Sequence, residues 1–289
     1  MTDDLPPWRH SKTGQLLSEA CLDCGAVMKG LYCTECGQKN QVLHQSLWRV
    51  VKDAFSATII LDNKLWRTLR RLFFEPGALA AEYAHGRRTS TIKPFRLYFV
   101  VSVLFFAALA FDPNEYAFWS EPTHTKVELP FKVMVDDEPN KDSPQWMKPF
   151  IKKAKANKDL VEEHPEWLMK QLTQRLPKAA FFMVPVLALI LKMLWRKRVF
   201  TEHLVLALNV QTIAFSLLGL SLLPLDAPGP LLAVLGVIFL AWFLASLRRF
   251  YGQGWVGTLL KAMPVLLLYV TALSMVFLVT IMLSMLADR

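Results

Sequence analysis

The stretch MPVLLLYVTALSMVFLVTIMLSML, residues 263–286, runs for 24 residues without a charged side chain. Coiled as a helix it extends about 36 Å, more than the roughly 30 Å hydrocarbon core of a bilayer. In lipid no water is present to bond a free amide, so a segment of this kind must satisfy its backbone internally, as a helix. Four further apolar runs, near residues 95–112, 178–195, 203–223 and 230–247, extend the same logic upstream. The shortest is the first, FRLYFVVSVLFFAALAF. Hydrophobic residues make up 53% of the chain and are concentrated in these runs, which a soluble core does not require. The expected fold is an all-α membrane protein with about five transmembrane helices.

The breaks between runs agree with that reading. Pro94 precedes the first run, Pro177 is expected to open the second, and PLDAPGP at residues 224–230 is a tight link between the third and fourth. Pro185 lies inside the second run with apolar residues on both sides, and is expected to kink that helix without ending it.

Short-loop charges set the expected orientation. The link at residues 195–203 carries Arg196, Lys197 and Arg198 against Glu202, and the link at 248–262 carries Arg248, Arg249 and Lys261 with no acid. The link at 224–230 has Asp226 and no base. The two basic links belong in the cytosol, which with five spans puts the N-terminus inside and the C-terminus outside. The first twenty residues have no apolar core and do not read as a cleavable signal. The expected localisation is multi-pass, with the net charge of +9 matched to lipid headgroups rather than to nucleic acid.

Three regions follow: residues 1–45 around the cysteines, an amphipathic stretch 46–94, and a membrane domain 95–289 with an extracytoplasmic insert at 113–176. In the insert, KVELPFKVMVD alternates Val127, Leu129, Phe131, Val133 and Val135 on one face, a strand pattern interrupted by Pro130. Ser143 and Pro144 read as a helix start for a face of Trp146, Phe150, Ile151 and Ala154, and a second helix is expected from about Pro165 into the second run. The insert is therefore expected to be a small α+β loop domain. Within 46–94, Leu47, Val50, Val51, Ala54 and Phe55 recur at helical spacing. Leu65, Leu69 and Leu72 do so again, beside Arg67, Arg70 and Arg71. Such helices lie in the headgroup plane or pack on the bundle. Arg67, Arg70, Arg71, Arg87 and Arg88 are the candidate lipid-headgroup ligands.

All four cysteines fall in CLDCGAVMKGLYCTECGQ, as Cys21-x-x-Cys24 and Cys33-x-x-Cys36, each pair followed by glycine, Gly25 and Gly37. Two such knuckles are the spacing of a zinc ribbon, in which four thiolates complete a tetrahedral Zn²⁺ site and leave no open position for catalysis. The zinc is then structural, able to fold a segment with almost no core. A reducing cytosol argues against disulfides, and a redox C-x-x-C would need a βαβ setting that is absent. Iron is the alternative metal. Between Cys21 and Cys36 the only base is Lys29, against Asp23 and Glu35, a surface that favours a cytosolic protein partner over nucleic acid.

The cysteine pairs, then LDNKLWRTLRRLFFEPGALAAEYAHGRR and KPFRLY, resemble a bacterial family of zinc-ribbon membrane proteins classified only as a domain of unknown function. The likeness covers roughly the first hundred residues. It implies a bacterial inner-membrane protein and carries over no catalytic residue.

Asn209, Gln211 and Thr212 form an intramembrane polar cluster, expected to bond between helices. Lys192 is near enough to the end of its run to snorkel. GQGWVG at 252–257 spells a nucleotide fingerprint but follows a membrane run rather than a strand, so it reads as an interfacial turn with a tryptophan anchor. The six histidines show no ligand spacing and read as surface or interfacial residues. No catalytic motif occurs; Glu75, Glu82, Tyr83, Arg87 and Arg88 are the only suspects for lipid-linked chemistry. The reading this supports is a membrane scaffold or regulatory adaptor whose zinc ribbon docks a protein. A transporter or lipid-handling protein is the alternative, and a membrane enzyme ranks third.

Overall fold

The computed structural model describes residues 18–40, 63–111, 165–222 and 228–285. Within them lie seven helices: α1 (Asn63–Phe74), α2 (Ala78–Ala84), α3 (Pro94–Phe111), α4 (Pro165–Leu194), α5 (Phe200–Ser221), α6 (Pro228–Tyr251) and α7 (Trp255–Met285). No strand occurs among the described residues, only two isolated antiparallel bridges in the cysteine region. The alternating segment at 126–136, the helix expected after Ser143 and the one at 47–55 lie outside the described residues.

Four helices are long and apolar enough to cross a membrane, over Gln174–Leu194, Phe200–Ser221, Pro230–Tyr251 and Trp255–Ser284. Five were expected, and the count differs at the first run. There Pro94–Leu109 is apolar but falls short of the roughly 20 residues a crossing needs. In the second run the helix expected from about Pro165 is present, so Pro177 lies inside it rather than opening it. α4 starts at Pro165 and passes through both Pro177 and Pro185. Proline is well placed at a first helical position, and neighbouring helices tolerate the two ladder bonds lost further along.

α5 is the central helix. It packs along α3, α4 and α6, while α4 packs along α7. Its burial extends without a break from His203 to Ile213. A helix apolar all round belongs in an interior, and α5 has lipid-like composition yet a protein environment. Leu187, Leu191, Leu206, Leu208, Ile213 and Leu247 are almost fully buried in the shared core. Aromatic rings join α3 to α5, with Phe105 stacked on Phe215 at 5.2 Å and Tyr98 tilted against it at 6.0 Å.

α1 and α2 clamp one end of this bundle. Leu72 is buried, Leu65, Leu69 and Phe73 pack on the core, and Trp242 Nε1 of α6 donates to the Leu72 carbonyl at 2.9 Å. α2 begins after Gly77, whose φ of 71° is left-handed. A Cβ there would lie 2.7 Å from the Ser246 carbonyl oxygen, so only glycine allows α2 to approach the α6 backbone this closely. The outer side of α1 leaves Trp66 and Phe74 exposed beside the exposed Arg67 and Arg70. The helix therefore packs on the bundle with one face and offers an amphipathic face outward.

The chain ends of the bundle sort accordingly. The clamp meets the later turns of α6, whose end at Tyr251 bonds His203 at the start of α5, so the links α4–α5 and α6–α7 share its end. The start of α4, the end of α5 and the end of α7 form the far end.

Candidate metal centre

Each cysteine pair folds into the same turn. Cys21 N donates to Ala26 O at 2.8 Å and Gly25 N to Cys21 O at 2.9 Å; Cys33 N donates to Gln38 O at 2.8 Å and Gly37 N to Cys33 O at 3.0 Å. Gly25 and Gly37 have φ of 81° and 72°, a region open to glycine at no steric cost. The bridges Ala20–Val27 and Tyr32–Lys39 each close one knuckle on itself. The apolar interior consists of Cys21, Met28 and Cys33, far too little to fold alone.

The four Sγ atoms of Cys21, Cys24, Cys33 and Cys36 lie within 4.8 Å of one another, with Cys21–Cys36 and Cys24–Cys33 at 3.5 Å. A tetrahedral ion with metal–sulfur bonds near 2.3 Å sets its sulfurs about 3.8 Å apart, so the cluster fits such an ion. The backbone amide of Cys36 holds the Cys33 thiol down to about 7, and burial pushes Cys36 up to about 12. Four thiolates this close repel strongly unless a cation lies between them. An all-sulfur donor set suits Zn²⁺ or an iron centre, and its four ligands leave no position for substrate.

The module does not stand free of the bundle. Gln38, buried and two residues beyond Cys36, donates through Nε2 to the Gly86 carbonyl at 2.8 Å. Its Oε1 accepts from the Arg88 amide at 3.1 Å and from Thr89 Oγ1 at 3.2 Å. Ser90 Oγ donates to Asp23 at 2.9 Å, and Leu22 covers Gly86, where a Cβ would lie 2.7 Å from Leu22 Cδ1. The loop so held continues into Ile92, whose amide donates to Thr68 Oγ1 of α1 at 3.1 Å. The cysteine turn, the 86–90 loop and α1 thus form one connected set. Sequence reasoning missed Gln38, Asp23 and Ser90; the signal was the glutamine of YCTECGQ with the small residues of HGRRTS.

The candidate headgroup arginines divide. Arg67, Arg70 and Arg87 are exposed. Arg71 instead turns onto Glu82, with Nη1 donating to Oε2 at 2.9 Å, and also reaches Glu75; these carboxylates raise its pKa. Arg88 stacks over Tyr83 at 4.8 Å. Glu82 and Arg88 are therefore each engaged with a different neighbour. Asn209, Gln211 and Thr212 are all buried in α5. Gln211 Nε2 crosses to Tyr269 Oη of α7 at 3.0 Å, whereas Thr212 bonds back to Leu208 of its own helix. His203 is corrected from an interfacial to a buried residue, with Nδ1 2.6 Å from Tyr251 Oη. The Tyr251 ring stacks on Trp195 at 4.0 Å, which explains how a polar ring is held there. Lys192 donates to the carbonyls of Arg196 and Arg198, so its ammonium ends among the polar groups of the α4–α5 link. In the GQGWVG turn, Gly252 has φ of 66° and Arg248 stacks over Trp255 at 4.5 Å, an aromatic anchor at a helix junction.

These features define a multi-pass integral membrane protein with a four-cysteine centre fixed to one end of its helix bundle. Residues 62–106 match a family described as "Protein of unknown function (DUF3667)". The matched segment holds α1, α2, the 86–90 loop and most of α3, the parts that receive the cysteine module. Comparison with curated proteins and with solved structures finds no match.

Proposed function

We propose that the protein is a scaffold or regulatory adaptor of a bacterial inner membrane, in which a zinc ribbon presents a fixed surface to a cytosolic protein partner. The observation that carries this reading is the two-sidedness of the module. Gln38, Asp23 and Leu22 hold one side to the bundle, while Val27, Leu31 and Tyr32 remain exposed on the module. An apolar patch on a rigid, metal-folded knob is suited to protein docking, since little ordering entropy is lost on binding.

Sidedness rests on charge. The module is at the same end as Arg196, Lys197 and Arg198 and as Arg248, Arg249 and Lys261, the two basic links that belong in the cytosol. A fifth crossing by α3 is part of this proposal: its 18 residues extend about 27 Å, and it packs along α5 from the clamp toward Phe105 and Phe106 near the far end. That crossing puts the N-terminus in the cytosol and the C-terminus outside.

The test is site-specific photo-crosslinking in membranes, with the crosslinker at Tyr32 and a control at Trp66. A discrete protein adduct at residue 32 that disappears with Val27→Ser and Leu31→Ser, while metal content is unchanged, supports the adaptor. Adducts to lipid alone at residue 32 would refute it.

A lipid-handling role is the second reading, favoured by a cavity of about 430 Å³ beside Gln211 and Tyr269. Its wall is built mainly of Phe105, Phe106, Phe215 and Leu218 and offers no string of polar groups for an ion or water path.

A further inference from the structure

The far end of the bundle carries two adjoining spaces. One is the apolar, partly open cavity of about 430 Å³ lined by α3, α4, α5, α6 and α7. The other is a groove of about 750 Å³ between α4 and α7, whose polar edge is Gln171, Gln174, Arg175 and Lys178. Ala179, Val276 and Thr280 line both, so groove and cavity share a wall. Both volumes fall in the range of about 300–1,000 Å³ usual for small-molecule sites.

Three observations identify the occupant. Gln171, Gln174, Arg175 and Lys178 recur at three- and four-residue intervals, so they share one face of α4. The apolar span of α4 begins at Gln174, which places Arg175 and Lys178 at the membrane boundary, where long cationic side chains reach the headgroup layer. Among the described residues no carboxylate lines either space and neither cation has an ion pair, so the described lining sets two positive charges beside an apolar hole. A ligand that matches both parts has an anionic head and a hydrocarbon tail.

We propose that groove and cavity together bind one glycerophospholipid of the far leaflet, its phosphate diester held by Arg175 and Lys178 and one acyl chain lodged in the cavity. The charge and the cavity make separable contributions, because they lie on different surfaces. The site is at the opposite end from the cysteine module, and it stands whether or not the adaptor reading does.

The experiment is native mass spectrometry of the full-length protein, delipidated in neutral detergent and titrated with phosphatidylglycerol. The wild type is expected to take up one lipid, with apparent affinity at least tenfold above that of Arg175→Gln/Lys178→Gln. Arg175→Lys should recover most of that loss. Ala214→Leu, which adds bulk to the cavity wall, should lower affinity for phosphatidylglycerol without touching the charges. Metal content and helical signal report whether each variant is folded; if Ala214→Leu fails there, Ala180→Leu takes its place and the charge variant remains decisive. Equal lipid uptake by wild type and charge variant would overturn the proposal. So would displacement of the lipid by millimolar inorganic phosphate with no effect of the cavity variant, since that outcome describes a simple anion site.

Discussion

Replacing Gln38 by alanine separates the anchoring of the cysteine module from its folding. The side chain is buried and makes three hydrogen bonds to the 86–90 loop, through Nε2 to Gly86 and through Oε1 from Arg88 and Thr89. At about 1 kcal/mol net for each bond, the loss is about 3 kcal/mol, or roughly two orders of magnitude in the equilibrium between docked and released module. Ser90 with Asp23 and Leu22 on Gly86 remain as described contacts between module and loop. The Gln38 backbone carbonyl, which receives the Cys33 amide, is kept in the variant, so the metal turn itself is unaltered. The assay is hydrogen exchange of the Arg88 amide, which donates to Gln38 Oε1, beside metal stoichiometry on the same sample. Exchange at residue 88 should accelerate roughly a hundredfold if release of the module is its opening step, with metal content unchanged. Unaltered protection at Arg88, or loss of the metal together with the side chain, would show that anchoring and metal folding are not separable as argued.

Three further outcomes are expected. Cys21→Ser/Cys24→Ser should reduce bound metal to background and expose the module to protease while the helical signal of the bundle persists; acidification should release metal from the wild type as well, because falling pH protonates the thiolates that hold it. Gly77→Ala should cost at least about 2 kcal/mol, from a positive φ and a Cβ 2.7 Å from the Ser246 carbonyl, read as a lowered melting temperature; an unchanged melting point would deny the close α2–α6 approach. Gln211→Leu removes the bond to Tyr269 and should cost only about 0.6 kcal/mol, the usual value for such bonds in membrane proteins, so a variant that fails to assemble would point to a larger role for that side chain.

The sequence by itself determined the features that depend on local composition. A charge-free run of 24 residues at 263–286 can only be a helix in lipid, because the unsatisfied backbone leaves no other solution. Two C-x-x-C turns with following glycines place four thiols in one small volume, because the turn geometry is set within a few residues of chain. Contacts between distant segments were decided only in the tertiary structure. Arg71 reads as a headgroup ligand beside Arg67 and Arg70 on its own helix, yet Glu82 from the next helix claims it. His203 and Tyr251 are far apart in sequence and meet only when α5 packs against α6, which buries a ring that its local context leaves at a surface. Pro177 signals a helix start, and the neighbouring helices allow α4 to continue through it. The run at 95–112 carries apolarity without the length for a clear crossing. Gln38 in YCTECGQ acquires meaning only once the 86–90 loop comes to meet it, and the joint space of Arg175, Lys178 and the Gln211 cavity exists only where α4 and α7 pack side by side. Periodicity and composition report what a segment prefers in isolation; which side chain pairs with which is set by the packing of whole helices, a long-range property absent from any short stretch of chain.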